Sequence, residues 1–135
     1  MDLSGTLDIS SSGMEAQSNR LRVIAENLAN EDTTGSTPGA DPYRRKTITF
    51  AEVLDPQTGS QEVSVEKIGQ DMSAFQMKYD PSHPAANAQG YVKMPNVNSF
   101  VEMMDMREAE RSYSADVNAM QVTRSMLTRT IDLLK

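Results

Sequence analysis

Chemistry at protein sites is carried mostly by His, Cys, Asp, Glu, Lys and Ser held close together. In this chain of 135 residues that supply is narrow. It has one histidine, His83, and no cysteine. A His-based metal cluster and a thiolate site are thereby excluded, and a nucleophile–His–acid arrangement would rest on His83 alone. Asp80 precedes it within Asp80-Pro81-Ser82-His83-Pro84, where the prolines fix the backbone and restrict the residues before them. His83 is therefore read as the support of a rigid turn. Carboxylates at Glu102, Asp105, Glu108 and Glu110 alternate with Arg107 and Arg111 at helical spacings, which suits surface ion pairs rather than a cleft. No Gly-rich phosphate loop and no nucleophile elbow are present. The short basic run Arg44-Arg45-Lys46 stands in a chain of net charge −6, the wrong balance for a phosphate backbone. The residues thus predict a protein without catalytic, cofactor-binding or metal-binding residues, and without a nucleic acid or small-molecule substrate as partner.

The elements that carry these residues fall into three segments. Residues 1–30 read as an N-terminal helix from about residue 3. Leu7, Met14, Leu21 and Leu28 recur every seven residues, with Leu3 and Ile24 on a companion seam that Ser10 and Gln17 interrupt. Gly5, Gly13 and the Ser10–Ser12 run weaken this helix, so it must gain stability from a partner. Asn30 and the following Asp32-Thr33-Thr34-Gly35 mark its end.

Residues 31–95 form a loop followed by a small β-rich outer domain. Ile48 and Phe50 share one strand face, and Val63, Val65 and Lys67 alternate after the turn-like Asp55-Pro56-Gln57-Thr58-Gly59. An antiparallel hairpin is the expectation.

Residues 96–135 read as one long helix. Ser99 and Glu102 suggest a capping box. The seam Met103, Met106, Glu110, Tyr113, Val117, Met120, Arg124, Leu127, Ile131, Leu134 alternates steps of three and four. Such a helix would span about 54 Å at about 1.5 Å per residue. The fold class expected is mainly α with a small β element, the terminal helices pairing as a coiled-coil-like axial domain, one domain discontinuous in sequence.

Composition points to assembly. Apolar residues make up 38%, tryptophan is absent, and ten methionines supply adaptable contact surface. Charged seam positions fix register among several helices better than they suit a dry pair. There is no secretory signal pattern at the N-terminus and no apolar run long enough to span a membrane. Two function classes fit: a structural subunit joined through its helices, and a soluble helical-hairpin adaptor or export-chaperone-like binding module.

Several motifs separate the two. Ser12-Gly13-Met14-Glu15-Ala16-Gln17 and Ala25-Glu26-Asn27-Leu28-Ala29-Asn30 resemble the N-terminal signature of the bacterial flagellar axial proteins. Asp41-Pro42-Tyr43-Arg44-Arg45-Lys46 looks like its continuation in the rod members of that family. Tyr79-Asp80-Pro81-Ser82-His83-Pro84, Gly90-Tyr91-Val92 with Pro95-Asn96-Val97-Asn98, and Glu102-Met103 with Met106 are similar to further elements of the basal-body rod proteins. The resemblance runs from about residue 9 to the C-terminus. It implies a subunit of the proximal rod whose terminal helices line a helical tube that transmits torque for motility. The implied partners are other rod and basal-body proteins, copies of itself and the flagellar type III export apparatus. The implied location is the basal body, where the rod spans the periplasm, reached without a cleaved signal peptide. Leu21, Asn27, Leu28, Asn30, Met106, Tyr113, Val117, Met120 and Leu127 are the implied assembly-interface residues. The Asn27/Asn30 pair would hydrogen-bond across subunits. Two departures stand out: Asp116 occupies a position where the family has Asn, and the segment between Phe50 and Asp71 is short.

Overall fold

The computed structural model describes residues 3–134. Its elements, in order, are helix α1 (Leu3–Ala29), strands β1 (Lys46–Leu54), β2 (Gln61–Gln70), β3 (Gln76–Tyr79) and β4 (Tyr91–Met94), and helix α2 (Ser99–Asp132). The fold is mainly helical with a small β part, as the sequence predicts.

The N-terminal helix ends where the sequence places its stop. Asn30 Nδ2 donates to the Glu26 carbonyl at 2.8 Å, and Thr33 Oγ1 donates to Asn30 Oδ1 at 3.1 Å. These bonds satisfy a carbonyl that the last turn would leave open.

Strands β1 and β2 form the expected hairpin. The Asp55 amide donates to the Ser60 carbonyl and the Asp71 amide to the Arg45 carbonyl, closing the ladder at both ends in antiparallel register. Asp55 organises the turn by accepting from the Gln57 amide at 2.8 Å and from Thr58 Oγ1 at 2.9 Å. Those bonds favour its charged form and hold its pKa below the ordinary aspartate value.

A second antiparallel ladder pairs β3 with β4 in the register Gln76↔Met94 to Tyr79↔Tyr91. The Asp80–Pro84 turn lies in the connection between them. Here Ser82 Oγ donates to Asp80 Oδ1 at 2.7 Å, and His83 Nδ1 accepts the Ala85 amide at 3.1 Å. Gly90 closes the return with a φ of 85°, and a Cβ there would lie 2.9 Å from Tyr79 Cε2. Any other residue would meet both backbone strain and a ring.

At the start of α2 the structure corrects the expected capping box. Asn98 is the cap, its Oδ1 accepting from the Phe100 and Val101 amides at 3.1 and 3.3 Å. Glu102 has turned inward instead and is fully buried.

The chain divides into two compact units built from interleaved segments. The first comprises Met1–Leu21, Ile48–Lys67 and Met106–Lys135, the second Arg22–Thr47 and Ile68–Asp105.

Candidate assembly surface

The second unit is organised around Asn27, which is 1% exposed. Asn27 Nδ2 donates to the Lys46 carbonyl at 2.9 Å and to Glu102 Oε2 at 3.2 Å. Its Oδ1 accepts from Tyr43 Oη at 2.9 Å and from the Lys46 amide at 2.8 Å. An asparagine offers two donors and two acceptor lone pairs, so this side chain is saturated inside its own chain. Asn30 Nδ2 and Oδ1 are each used once at the end of α1. Asn27 has no group left for a neighbouring subunit, whereas Asn30 keeps a second amide hydrogen and a second lone pair. Their work is to fix the helix end against the strand that follows.

Glu102 completes the cluster. Its Oε1 accepts from Arg45 Nε, and the same guanidinium reaches Asp71 and Asp105 at 3.8 Å each. A buried carboxylate is tolerated because a guanidinium and an amide meet it together. The Arg45 amide in turn donates to Asn96 Oδ1 at 2.8 Å, tying in the residues ahead of α2. Arg44 lies 4.2 Å from the Phe75 ring centroid and donates to the Asp71 and Ser73 carbonyls. The basic run Arg44-Arg45-Lys46 is thus consumed in internal bonds, Lys46 pairing with Glu26 at 2.7 Å.

The first unit is held differently. A Cβ built on Gly13 would lie 2.8 Å from Asp116 Oδ2, and Arg20 Nη2 meets Glu108 Oε2 at 3.4 Å. Going up α1 from one contact to the other goes down α2, so the helices run antiparallel in this unit. Their meeting line is small and polar: Ser10, Ala109 and Thr123 are buried. Ser10 and Thr123 return their hydroxyls to the carbonyls of Thr6 and Ala119. Two acceptors on this line stand alone. Gln17 Oε1 is buried without a hydrogen-bond partner. Among the described residues Asp116 has none either, and burial pushes its carboxyl above the ordinary aspartate pKa.

That line differs from the predicted seam by one residue at alternate positions. Glu110 and Arg124, expected between helices, are exposed, and their inward neighbours Ala109 and Thr123 take the places. Met103 is likewise 52% exposed beside buried Glu102. Asp116, at the position where the family has Asn, faces Gly13 of its own chain.

The large apolar residues flank this line. Successive residues turn by about 100° on a helix. Leu7, Met14 and Leu21 therefore lie to one side of Ser10 and Gly13, and Met106, Tyr113, Val117 and Met120 to one side of Ala109 and Asp116. In an antiparallel pair these two flanks fall on the same side, as the walls of one shallow trough. The opposite side of α1 is the one the hairpin covers: the Val63 amide donates to Ser12 Oγ at 3.3 Å, and Gly5 and Ala16 are buried there. Leu7, Met14, Leu21, Met106, Val117, Met120 and Leu127 are half-buried, and Tyr113 is exposed. Leu28, half-buried, lies in the second unit. The half-burial of these residues is the signal that sequence periodicity alone does not give.

His83 belongs to the second unit. Its Nε2 is 3.4 Å from Thr34 Oγ1. Because Nδ1 accepts a backbone amide, the neutral ring carries its proton on Nε2 and donates to Thr34. A cavity of about 240 Å³ adjoins it, lined by Asp32, Thr34, Lys78, Asp80, Val92 and Met94.

Comparison with known proteins bears on what such an arrangement serves. A family model described as "Flagella basal body rod protein" matches residues 7–37, and one described as "Flagellar basal body rod FlgEFG protein C-terminal" matches residues 88–133. The chain is 54% identical over 133 residues to the flagellar basal-body rod protein FlgC of Agrobacterium fabrum, covering 98% of this chain and 96% of that one. It is 40% identical to FlgC of Bacillus subtilis, covering 96% and 97%. It is 38% identical to FlgC of Salmonella typhimurium, covering 98% of each.

Proposed function

The chain belongs to the FlgC family of flagellar basal-body rod proteins and is a structural subunit of that rod, and from this premise we infer that it builds the proximal rod through its terminal helices. The adaptor alternative drawn from the sequence finds no support in these relatives.

The observation that carries the finer reading is the trough of the first unit. Leu21, Met106, Tyr113, Val117 and Met120 are apolar, half-buried or exposed, and set on one flank of a helix pair, with half-buried Leu127 further along α2. Leu28 continues the heptad of Leu21 into the second unit. Apolar surface of this kind gains stability by being removed from water against another helix. Asn27 and Asn30 act from behind, by fixing the end of α1. We read residues 1–30 and 96–135 as one axial module and 31–95 as the outward domain. The partners are neighbouring rod and basal-body proteins and further copies of this chain. Transmission of torque is mechanical, so the reading assigns no catalytic residue. Travel to the periplasmic part of the basal body through the type III export apparatus, with no cleaved signal peptide, completes it.

Electron microscopy of isolated basal bodies tests this reading, with the chain fitted into density. Placement between the membrane ring and the distal rod, terminal helices innermost, is the expected result. Density for this chain in the hook, or none in the rod, would overturn it.

A further inference from the structure

Gly13 and Gln17 stand one turn apart on the same face of α1. Asp116 of α2 lies against Gly13, where a Cβ would be 2.8 Å from its Oδ2. The helices run antiparallel, Gly13 meeting Asp116 and Arg20 meeting Glu108, so Gln17 stands opposite the turn that precedes Asp116. Helical side chains lean towards the N-terminus of their own helix. On antiparallel helices these two therefore lean towards each other, Gln17 back to the level of Gly13 and Asp116 back to the level of Gln17. Gly13, having no side chain, leaves the notch in which they cross.

The chemistry of the two groups says what joins them. Gln17 Oε1 is buried without a hydrogen-bond partner, and a carbonyl oxygen can only accept. An ionised carboxylate also only accepts, whereas a protonated one has an O–H to give. Two acceptors facing each other out of water are a cost, and one proton between them satisfies both. Burial alone raises the Asp116 carboxyl above the ordinary aspartate value, with neither a charge nor a hydrogen bond lowering it. The titratable residues within about two turns are Asp8, Glu15 and Arg20 on α1, and Glu110, Arg111 and Tyr113 on α2. Arg20 is paired with Glu108, and the strand that reaches Ser12 brings Glu62 beside Val63.

We propose that Asp116 and Gln17 form a proton-operated clasp between the two terminal helices, the protonated carboxyl donating its O–H to Gln17 Oε1. Loss of the proton leaves two facing acceptors and loosens the pair. The folded state binds this proton more tightly than the unfolded chain, so the clasp is fully closed below the unfolded carboxyl pKa and opens as pH rises through the higher folded one. The first unit is thereby held more firmly in an acidic medium than in a neutral one.

The purified full chain tests this through Gln17→Met, which removes the acceptor and keeps the length of the side chain. At neutral pH the substitution should leave the melting temperature nearly unchanged. In the acid carboxyl range it should lower it by about 3–5 °C, the effect of one lost hydrogen bond. In an Asp116→Asn background, whose amide donates at every pH, the same substitution should cost a similar amount throughout. Carbon-13 NMR of the Asp116 carboxyl gives a reading that a purely structural role would not move. Gln17→Met should weaken its proton binding by about three- to tenfold. A cost of Gln17→Met that does not change with pH in the wild-type background overturns the proposal. So does a cost that is largest at neutral pH, since Gln17 would then be donating its amide to the carboxylate. A carboxyl that titrates as it does in the unfolded chain overturns it too, because the helices are then not closed around it.

Discussion

The two compact units of the chain solve the same problem in opposite ways. In the second, polar groups of four segments converge until each is satisfied: Asn27 makes four bonds, and Glu102 receives a guanidinium and an amide. In the first, two helices meet along small residues, and among the described residues the buried Gln17 Oε1 has no hydrogen-bond partner. A satisfied buried network specifies one arrangement strongly, whereas an unsatisfied acceptor costs stability. The difference teaches that one unit is closed by its own polar network, whereas the other leaves a buried acceptor and apolar flanks open.

The comparison breaks most easily at Glu102. Glu102→Ala leaves Arg45 facing a void and removes one acceptor from Asn27, and should cost about 3–5 kcal/mol, the range for removing one partner of a buried pair. Chemical denaturation of the purified chain reads this directly. A loss under about 1 kcal/mol would mean that the second unit is no more tightly specified than the first.

Val117→Asp should act on the other side of the comparison. It places a charge on the trough wall, where contact with a neighbour would strand it at a cost of several kcal/mol. Cells carrying it should make the protein yet lack flagella, while circular dichroism of the isolated chain shows the β content retained. Normal swimming would remove the trough from the assembly surface.

A smaller effect sharpens the contrast at Asp116. Burial raises its carboxyl pKa above the model-compound value of 3.8. The folded state then binds the proton more tightly than the unfolded chain. Its charged form penalises folding fully above the folded pKa, and the penalty disappears as pH falls to the unfolded value. Asp116→Asn should therefore melt above the wild type at neutral pH, with the gap narrowing as pH drops through the carboxyl range. A gap that widens on acidification would show that the carboxylate has a favourable partner.

The smallest effect is expected at His83. His83→Gln should change stability by less than about 1 kcal/mol, since a side-chain carbonyl can also accept a backbone amide. Pro81→Gly with Pro84→Gly should cost more, by releasing the backbone of the turn. Thermal melting of the two variants side by side decides this. The reverse order would reopen a proton-linked role for the ring.

Much of the architecture was legible because it rests on local signals. The hairpin turn announces itself in Asp55-Pro56-Gln57-Thr58-Gly59, and the end of α1 in Asn30. The β3–β4 ladder was not legible, since Gln76-Met77-Lys78-Tyr79 shows no apolar alternation and all four residues are exposed. Its pairing is set by Tyr79 against Tyr91, whose rings meet edge to face at 5.2 Å. The helix seam was displaced for a different reason. Periodicity finds the largest apolar residues, but helices that approach closely put small ones between them and push the large ones to the flanks. Gly13 looked like a helix weakness and is a contact point. Glu102 looked like a cap, because a buried carboxylate and an N-terminal acidic residue read alike until Arg45, far away in sequence, is seen beside it.

The bond from Asn27 to Glu102 joins residues 75 positions apart. Closing a loop of that length costs entropy before any contact repays it, and folding slows as such distant contacts dominate. A chain released from its N-terminus forward can begin α1 and the first hairpin, but the second unit lacks its buried acid until nearly the whole chain has emerged. The polar cluster therefore acts as a timer as well as a lock: the second unit cannot commit to its final shape before residue 102 is available.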